Sequence, residues 1–167
     1  MKNLFFLTIC IGLLIASPRK NIAQTSDEVE FVTETYEDGL LKIKLGELAQ
    51  TKGSVASVKD FSKTLTTDYS KAGDELKALA KNKNIALPSE LSKKGQRKYD
   101  RLTKREGHSF DKEYMDYMIE NHDDAIDEFG EMSEESKDAD IKAWTLKMLP
   151  SLKRNLETAK SIYKAIK

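Results

Sequence analysis

The sequence predicts an all-α protein, a four-helix bundle around one core. Three observations lead there. Apolar residues recur in three- and four-residue steps nearly everywhere after residue 27, the spacing that lines one face of a helix. Charged residues make up 34% of the 167-residue chain while glycine and proline number only 8 and 3, a composition suited to long solvated helices. No segment carries a strand signal of any weight, and 39% apolar content at this length supplies one domain.

The chain opens with MKNLFFLTICIGLLIASPRKNIAQ. A basic Lys2 precedes an apolar run from Leu4 to Ala16, and small residues follow. This is the layout of a secretory signal, and the run is too short to span a bilayer as a permanent helix. Cleavage is expected after Ala23, with Ala16 as the alternative site. An uncleaved anchor is the competing reading, because Arg19 and Lys20 flank the run closely. Cys10 lies inside the run behind Ile9 rather than a small residue, so no lipoprotein signal is evident.

Removing residues 1–23 takes Lys2, Arg19 and Lys20 and no acid from a balance of 28 basic and 28 acidic residues, leaving a net charge of −3. It also removes the only cysteine. The mature domain, 24–167, then forms no disulfide and has no thiol nucleophile, so core packing alone must hold it in an oxidising compartment. The expected location is the periplasm or the extracellular space. Near-balanced charge points to no nucleic-acid partner.

The first long helix is expected at about 27–51, with Val29, Val32, Tyr36, Leu40, Ile43, Leu45 and Leu48 as its stripe and Gly53 as its stop. The second, at about 55–82, carries Val55, Val58, Phe61, Leu65, Tyr69, Ala72, Leu76 and Leu79. Pro88 then forbids continuation, and Ser89 or Ser92 can cap a short helix at about 90–103. Gly107 reads as the stop of that short helix and Ser109 as the next cap. The third long helix, about 110–135, turns Phe110, Tyr114, Met118, His122, Ala125, Phe129 and Met132 inward. The last, about 138–166, uses Ile141, Trp144, Met148, Leu152, Leu156, Ala159, Ile162 and Ile166, with Pro150 expected to kink it.

Connection lengths decide the topology. Short turns make each pair of long helices an antiparallel hairpin, and the long segment between the pairs can travel the length of the bundle. One long crossover between two hairpins is the ferritin-like arrangement. A faint echo, DYSKAGDEL at 68–76 against NHDDAIDEF at 121–129, places Tyr69 opposite His122.

Two charged stretches stand out. Lys93, Lys94, Arg97, Lys98, Arg101, Lys104 and Arg105 recur at helical spacing in the crossover, with Tyr99 and Leu102 facing the other way. This is either a strap whose apolar side seals the bundle or a strip for lipid headgroups or another polyanion, and its few large apolar residues favour the strap. From Glu113 to Ser136 the chain has ten acids and no Lys or Arg. A solvated helix face explains that run, and no glycine-bearing acidic turn makes it a calcium loop. There is no nucleophile elbow, phosphate loop or dinucleotide fingerprint.

The segments LKIKLGELA (41–49), DYSKAGDELKALA (68–80), FDKEYMDYMIENH (110–122) and LPSLKRNLETA (149–159) give the chain from about Glu28 onward a recognisable pattern. It resembles the bacterial family called domain of unknown function 4142, a secreted or periplasmic ferritin-like group. The resemblance implies inward polar positions that are a glutamate in the first helix and histidines in the other three, a set similar to a ferritin-type metal centre. In this sequence those positions hold Lys42, Tyr69, His122 and Asn155. Three of the four depart from the pattern.

A di-metal carboxylate site also needs Glu-x-x-His pairs. Here Arg105 stands three residues before His108 and Ile119 three before His122. The expectation is therefore no cofactor and no catalytic residue, with Lys42, Tyr69, His122 and Asn155 forming a polar core layer. The expected role is a structural, stress-related or interaction module. The rival readings are an iron-, manganese- or zinc-binding protein centred on His122 and a polyanion-binding envelope protein. Neither a membrane span in the mature chain nor a specific partner is expected, and a homodimer is allowed.

Overall fold

The computed structural model describes residues 25–167, and the expected export leader, its two cleavage points and Cys10 lie outside the described residues. Those residues form five helices: α1 (Ser26–Lys52), α2 (Ala56–Asn82), α3 (Lys93–Thr103), α4 (Gly107–Glu135) and α5 (Ala139–Ala165). No helix among them is long and apolar enough to cross a membrane.

Local chemistry sets the helix ends. α1 begins with a reciprocal cap: the Glu28 amide donates to Thr25 Oγ1 at 3.2 Å, and the Thr25 amide donates to Glu28 Oε2 at 2.9 Å. α2 ends where Asn84 takes the left-handed conformation (φ 56°), and the Ile85 amide reaches back to the Ala80 carbonyl at 2.9 Å. Ser92 caps α3 by accepting from the Gly95 amide at 3.2 Å. Asp138 caps α5 by accepting from the amides of Asp140 (2.9 Å) and Ile141 (3.2 Å). α5 continues through Pro150 as one helix.

Four details differ from the sequence expectation. α3 starts at Lys93 rather than near residue 90, capped by Ser92, one of the two expected caps. Gly107 is not the stop of α3 but the first residue of α4, with φ 53°, a conformation that redirects the chain and favours glycine. Ser109 is therefore inside α4, donating to the Glu106 carbonyl at 2.9 Å instead of capping. Val29 is 38% exposed, and the adjacent Glu28 takes the inward position.

α1 with α2 and α4 with α5 form the two hairpins, α1 lies against α4, and α2 lies against α5. α2 and α4 are diagonal. The crossover leaves α2 at the end where Lys83 pairs with Asp138 (2.6 Å) and Asp140 (3.0 Å), and it reaches α4 at the opposite end. On the way α3 rests on α1 and α4. The fold is the expected ferritin-like bundle.

Two buried acids join the hairpins. Glu28, on α1, accepts from Ser136 Oγ (2.6 Å) and from the amides of Lys137 (2.9 Å) and Asp138 (3.1 Å) in the α4–α5 turn. Asp111, on α4, accepts from the amides of Ser54 (3.0 Å) and Val55 (3.1 Å) and from the Ser54 hydroxyl in the α1–α2 turn. Gly53 permits that approach, since a Cβ there would stand 3.1 Å from Asp111 Oδ1 and 2.6 Å from the Ala49 carbonyl. Burial by itself would raise the Glu28 pKa, but the bonds from Ser136, Thr25, Asp138 and Lys137 hold it below the usual carboxylate range.

The core divides into two apolar blocks. One includes Leu45, Leu65, Met118 and Ala159, and the other Val32, Leu76, Ala125 and Leu152. Positions 42, 69, 122 and 155 fall at the boundary between them on all four long helices.

Candidate functional site

The boundary layer buries three polar side chains, Lys42, His122 and Asn155. Lys42 is 1% exposed and His122 0%. A cation so placed needs a partner, and the Lys42 ammonium pairs with Asp38 one turn earlier on α1. It also lies 4.8 Å from the centroid of the Tyr69 ring. Burial alone would lower the Lys42 pKa, yet Asp38 and its surroundings hold it above the ordinary lysine range. Lys42 is a permanent internal cation.

His122 has both ring nitrogens engaged. Nδ1 lies 2.6 Å from the Met118 carbonyl and Nε2 lies 3.1 Å from the Tyr69 hydroxyl. A carbonyl only accepts, so Nδ1 carries the proton and Nε2 accepts from the phenol. Burial and the nearby Lys42 push the His122 pKa down to about 4, which leaves the ring neutral at pH 7. Burial likewise raises the Tyr69 pKa, so the phenol keeps the proton it donates.

Asp38 extends the layer outward, accepting from the Asn121 side-chain amide at 3.0 Å. Beyond it opens a cleft of about 470 Å³ between α1, α3 and α4. Glu34, Glu37, Asp124 and Glu128 stand on its α1 and α4 walls, and Lys94 and Lys98 on α3. Burial, with Asp38, Glu34 and Asp124 nearby, raises the Glu128 pKa. Glu37 accepts from the Ser92 amide at 3.0 Å and so fastens the start of α3.

Of the four expected layer residues, the structure brings Lys42, Tyr69 and His122 into direct contact. Asn155 is buried on α5 at the same level, but no hydrogen bond among the described residues joins it to His122. Asp38 and Asn121 were not anticipated. The i,i+4 spacing of Asp38 and Lys42 was a usable signal, because that spacing puts both on one helix face.

The basic strip divides. Leu102 is fully buried and Tyr99 packs on the core, so α3 seals the bundle with its apolar side. Arg101 and Arg105 both pair with Glu113 on α4 at 2.6 Å, and Lys98 lies 4.3 Å from the centroid of the Tyr117 ring. Lys93, Lys94, Arg97 and Lys104 face solvent.

The sequence pattern of a domain of unknown function, DUF4142, matches residues 16–162. The chain belongs to the DUF4142 family. No curated protein matches it. Two solved structures share its fold. A DUF305 fragment from Deinococcus radiodurans superposes with a TM-score of 0.75 at 11% identity, covering 86% of this chain and 99% of that one. CopM in its Cu(II)-bound form superposes with a TM-score of 0.70 at 15% identity, covering 83% of this chain and 96% of that one.

The donor set of this DUF4142 chain does not suit a ferritin-type metal centre. Among the described residues no three His, Cys, Asp or Glu side chains are placed to share one metal ion. The lysine at position 42 puts a positive charge at the layer, and the only buried histidine has both nitrogens engaged.

Proposed function

We propose that this chain is an exported, non-catalytic DUF4142 protein that serves as a structural or interaction module of the cell envelope. The observation that carries the reading is the buried Lys42 ammonium, paired with Asp38 and set against Tyr69 in the polar layer. It supplies from the chain itself the positive charge that a metal centre takes from solution. Repulsion between an ammonium and a divalent ion in a low-dielectric interior opposes metal entry. The export half of the proposal rests on the leader-like segment before Gln24.

The test is elemental analysis of untagged protein recovered after export, loaded with iron, manganese, zinc or copper and desalted. Wild type should carry no stoichiometric metal. Replacing Lys42→Glu together with Tyr69→His should raise metal content, because it removes the cation and adds two ligands beside His122. Near-stoichiometric metal in wild type, lost in His122→Ala, would overturn the reading. N-terminal sequencing of the same sample should begin at Gln24.

A second reading is metal handling, favoured by the likeness to copper-bound CopM. In this chain it requires His122 Nε2 to release the Tyr69 hydroxyl before any metal can bind. Copper in the loading series therefore addresses both readings.

A further inference from the structure

The crossover helix α3 carries basic residues along two edges. One edge is engaged within the chain, where Arg101 and Arg105 pair with Glu113 and Lys98 lies over Tyr117. The other edge is Lys93, Arg97 and Lys104, all exposed. Their spacing puts them on one side of the helix. Among the described residues no carboxylate forms an ion pair with any of the three.

The acids of α4 show the opposite imbalance. Glu113, the partner of both arginines, sits in the first half of that helix. Glu131 stands eighteen residues further on, about five full turns, and so projects to the same side. Asp127 is one turn before it on that face. Both are exposed, and among the described residues neither has a cationic partner. α3 serves the first half of this acidic stripe and leaves Asp127 and Glu131 unmatched.

Position makes the two imbalances complementary. α3 lies on the side of the bundle to which Glu113 points, and Asp127 and Glu131 point to that side in the other half. A two-fold axis normal to the bundle at mid-length exchanges the halves. It carries the free edge of α3 in each copy onto the acidic stripe of the other, and the two identical contacts close the assembly at two copies. A lipid surface suits this side less well, because anionic headgroups attract the free lysines and arginine but repel the acids on the same side. The 28 basic and 28 acidic residues of the chain balance, so two copies meet no strong overall repulsion.

We propose that this chain pairs with a second copy of itself through α3 and the second half of α4, in a two-fold symmetric, salt-sensitive dimer. Among the described residues the only exposed large hydrophobics are Val29 and Leu146, so the contact is electrostatic and reversible. It lies outside the polar layer, and its test is independent of metal binding and of export.

Sedimentation equilibrium of the untagged protein tests the pairing. At about 0.01 M salt the dimer should form with a Kd of about 100 μM or tighter. Association should weaken roughly tenfold or more at about 1 M salt, where the screening length falls from roughly 30 Å to roughly 3 Å. The variants Lys93→Glu/Arg97→Glu and Asp127→Lys/Glu131→Lys, checked for folding by circular dichroism, should each be monomeric alone, because each sets like charges together. Mixed in equal amounts they should form a one-to-one dimer, since both contacts then join opposite charges. Wild type that stays monomeric at low salt, a dimer in either variant alone, folded variants that fail to pair when mixed, or assembly beyond two copies would each overturn the proposal. Monomeric wild type that binds phosphatidylglycerol vesicles would overturn it in favour of a lipid surface.

Discussion

The Tyr69 hydroxyl donates to Nε2 of His122 across 3.1 Å, from helices α2 and α4 that lie diagonally in the bundle. One bond thus ties the two hairpins through the middle of the core. The tautomer follows from the other nitrogen: Nδ1–H donates to the Met118 carbonyl, which leaves Nε2 to accept. Tyr69→Phe keeps the ring and leaves the buried Nε2 without its donor. The expected cost is about 1–3 kcal/mol in urea denaturation. A loss below about 0.5 kcal/mol would mean that the bond contributes little.

His122 makes stability depend on pH. Its folded pKa of about 4 lies below the unfolded value of 6.5, so the unfolded chain binds the extra proton first. Stability attributable to the neutral ring is fully present above pH 6.5 and is lost as pH falls towards 4. The full loss is on the order of 3 kcal/mol. His122→Gln should flatten that part of the profile when denaturation midpoints are compared at pH 7 and pH 4.5. An unchanged slope would place the acid sensitivity elsewhere.

Lys42 and Asp38 should respond unequally to mutation. Asp38→Ala leaves an ammonium that is 1% exposed without its partner, whereas Lys42→Met leaves a carboxylate that is 31% exposed and able to hydrate. The first should cost about 2–4 kcal/mol and the second clearly less, as read from chemical denaturation. The reverse order would show that the methylenes of Lys42 matter more than its charge.

Glu28→Ala and Asp111→Ala each remove a carboxylate that holds two amides of a distant turn. Each should cost about 2–3 kcal/mol, more than an ordinary surface substitution. Gly53→Ala should act in the same direction as Asp111→Ala, because its Cβ would meet the same carboxylate. Melting curves of the three variants, alone and as the Gly53/Asp111 pair, test whether those two losses overlap. Strict additivity would separate them.

Much of the fold was readable because long helices repeat their message every turn. Leu45, Leu65, Met118 and Leu156 sit on stripes several turns long, and a stripe survives one misplaced residue. Pro88 marked the crossover for an equally local reason. Val29 misled because it continues the spacing of the α1 stripe, while the inward turn of Glu28 depends on amides at residues 136–138. Gly107 misled because a glycine with positive φ can open a helix as well as close one. At the polar layer, His122 was visible as a polar residue on an apolar stripe. The echo of 68–76 in 121–129 already set Tyr69 opposite His122, and of the two expected partners, Tyr69 and Asn155, the structure joins His122 to Tyr69. Asp38 was within reach, four residues before Lys42 on the same face.

The placement of Glu28 and Asp111 governs how the molecule comes apart. Each acid belongs to one hairpin and satisfies the turn of the other, so separating the halves strands turn amides at both ends of the bundle together. An isolated hairpin lacks the carboxylate that accepts from its own turn in the bundle. The expected unfolding is all-or-none: the most protected amides of α1, α2, α4 and α5 should exchange with solvent at one common free energy, through global opening rather than hairpin by hairpin.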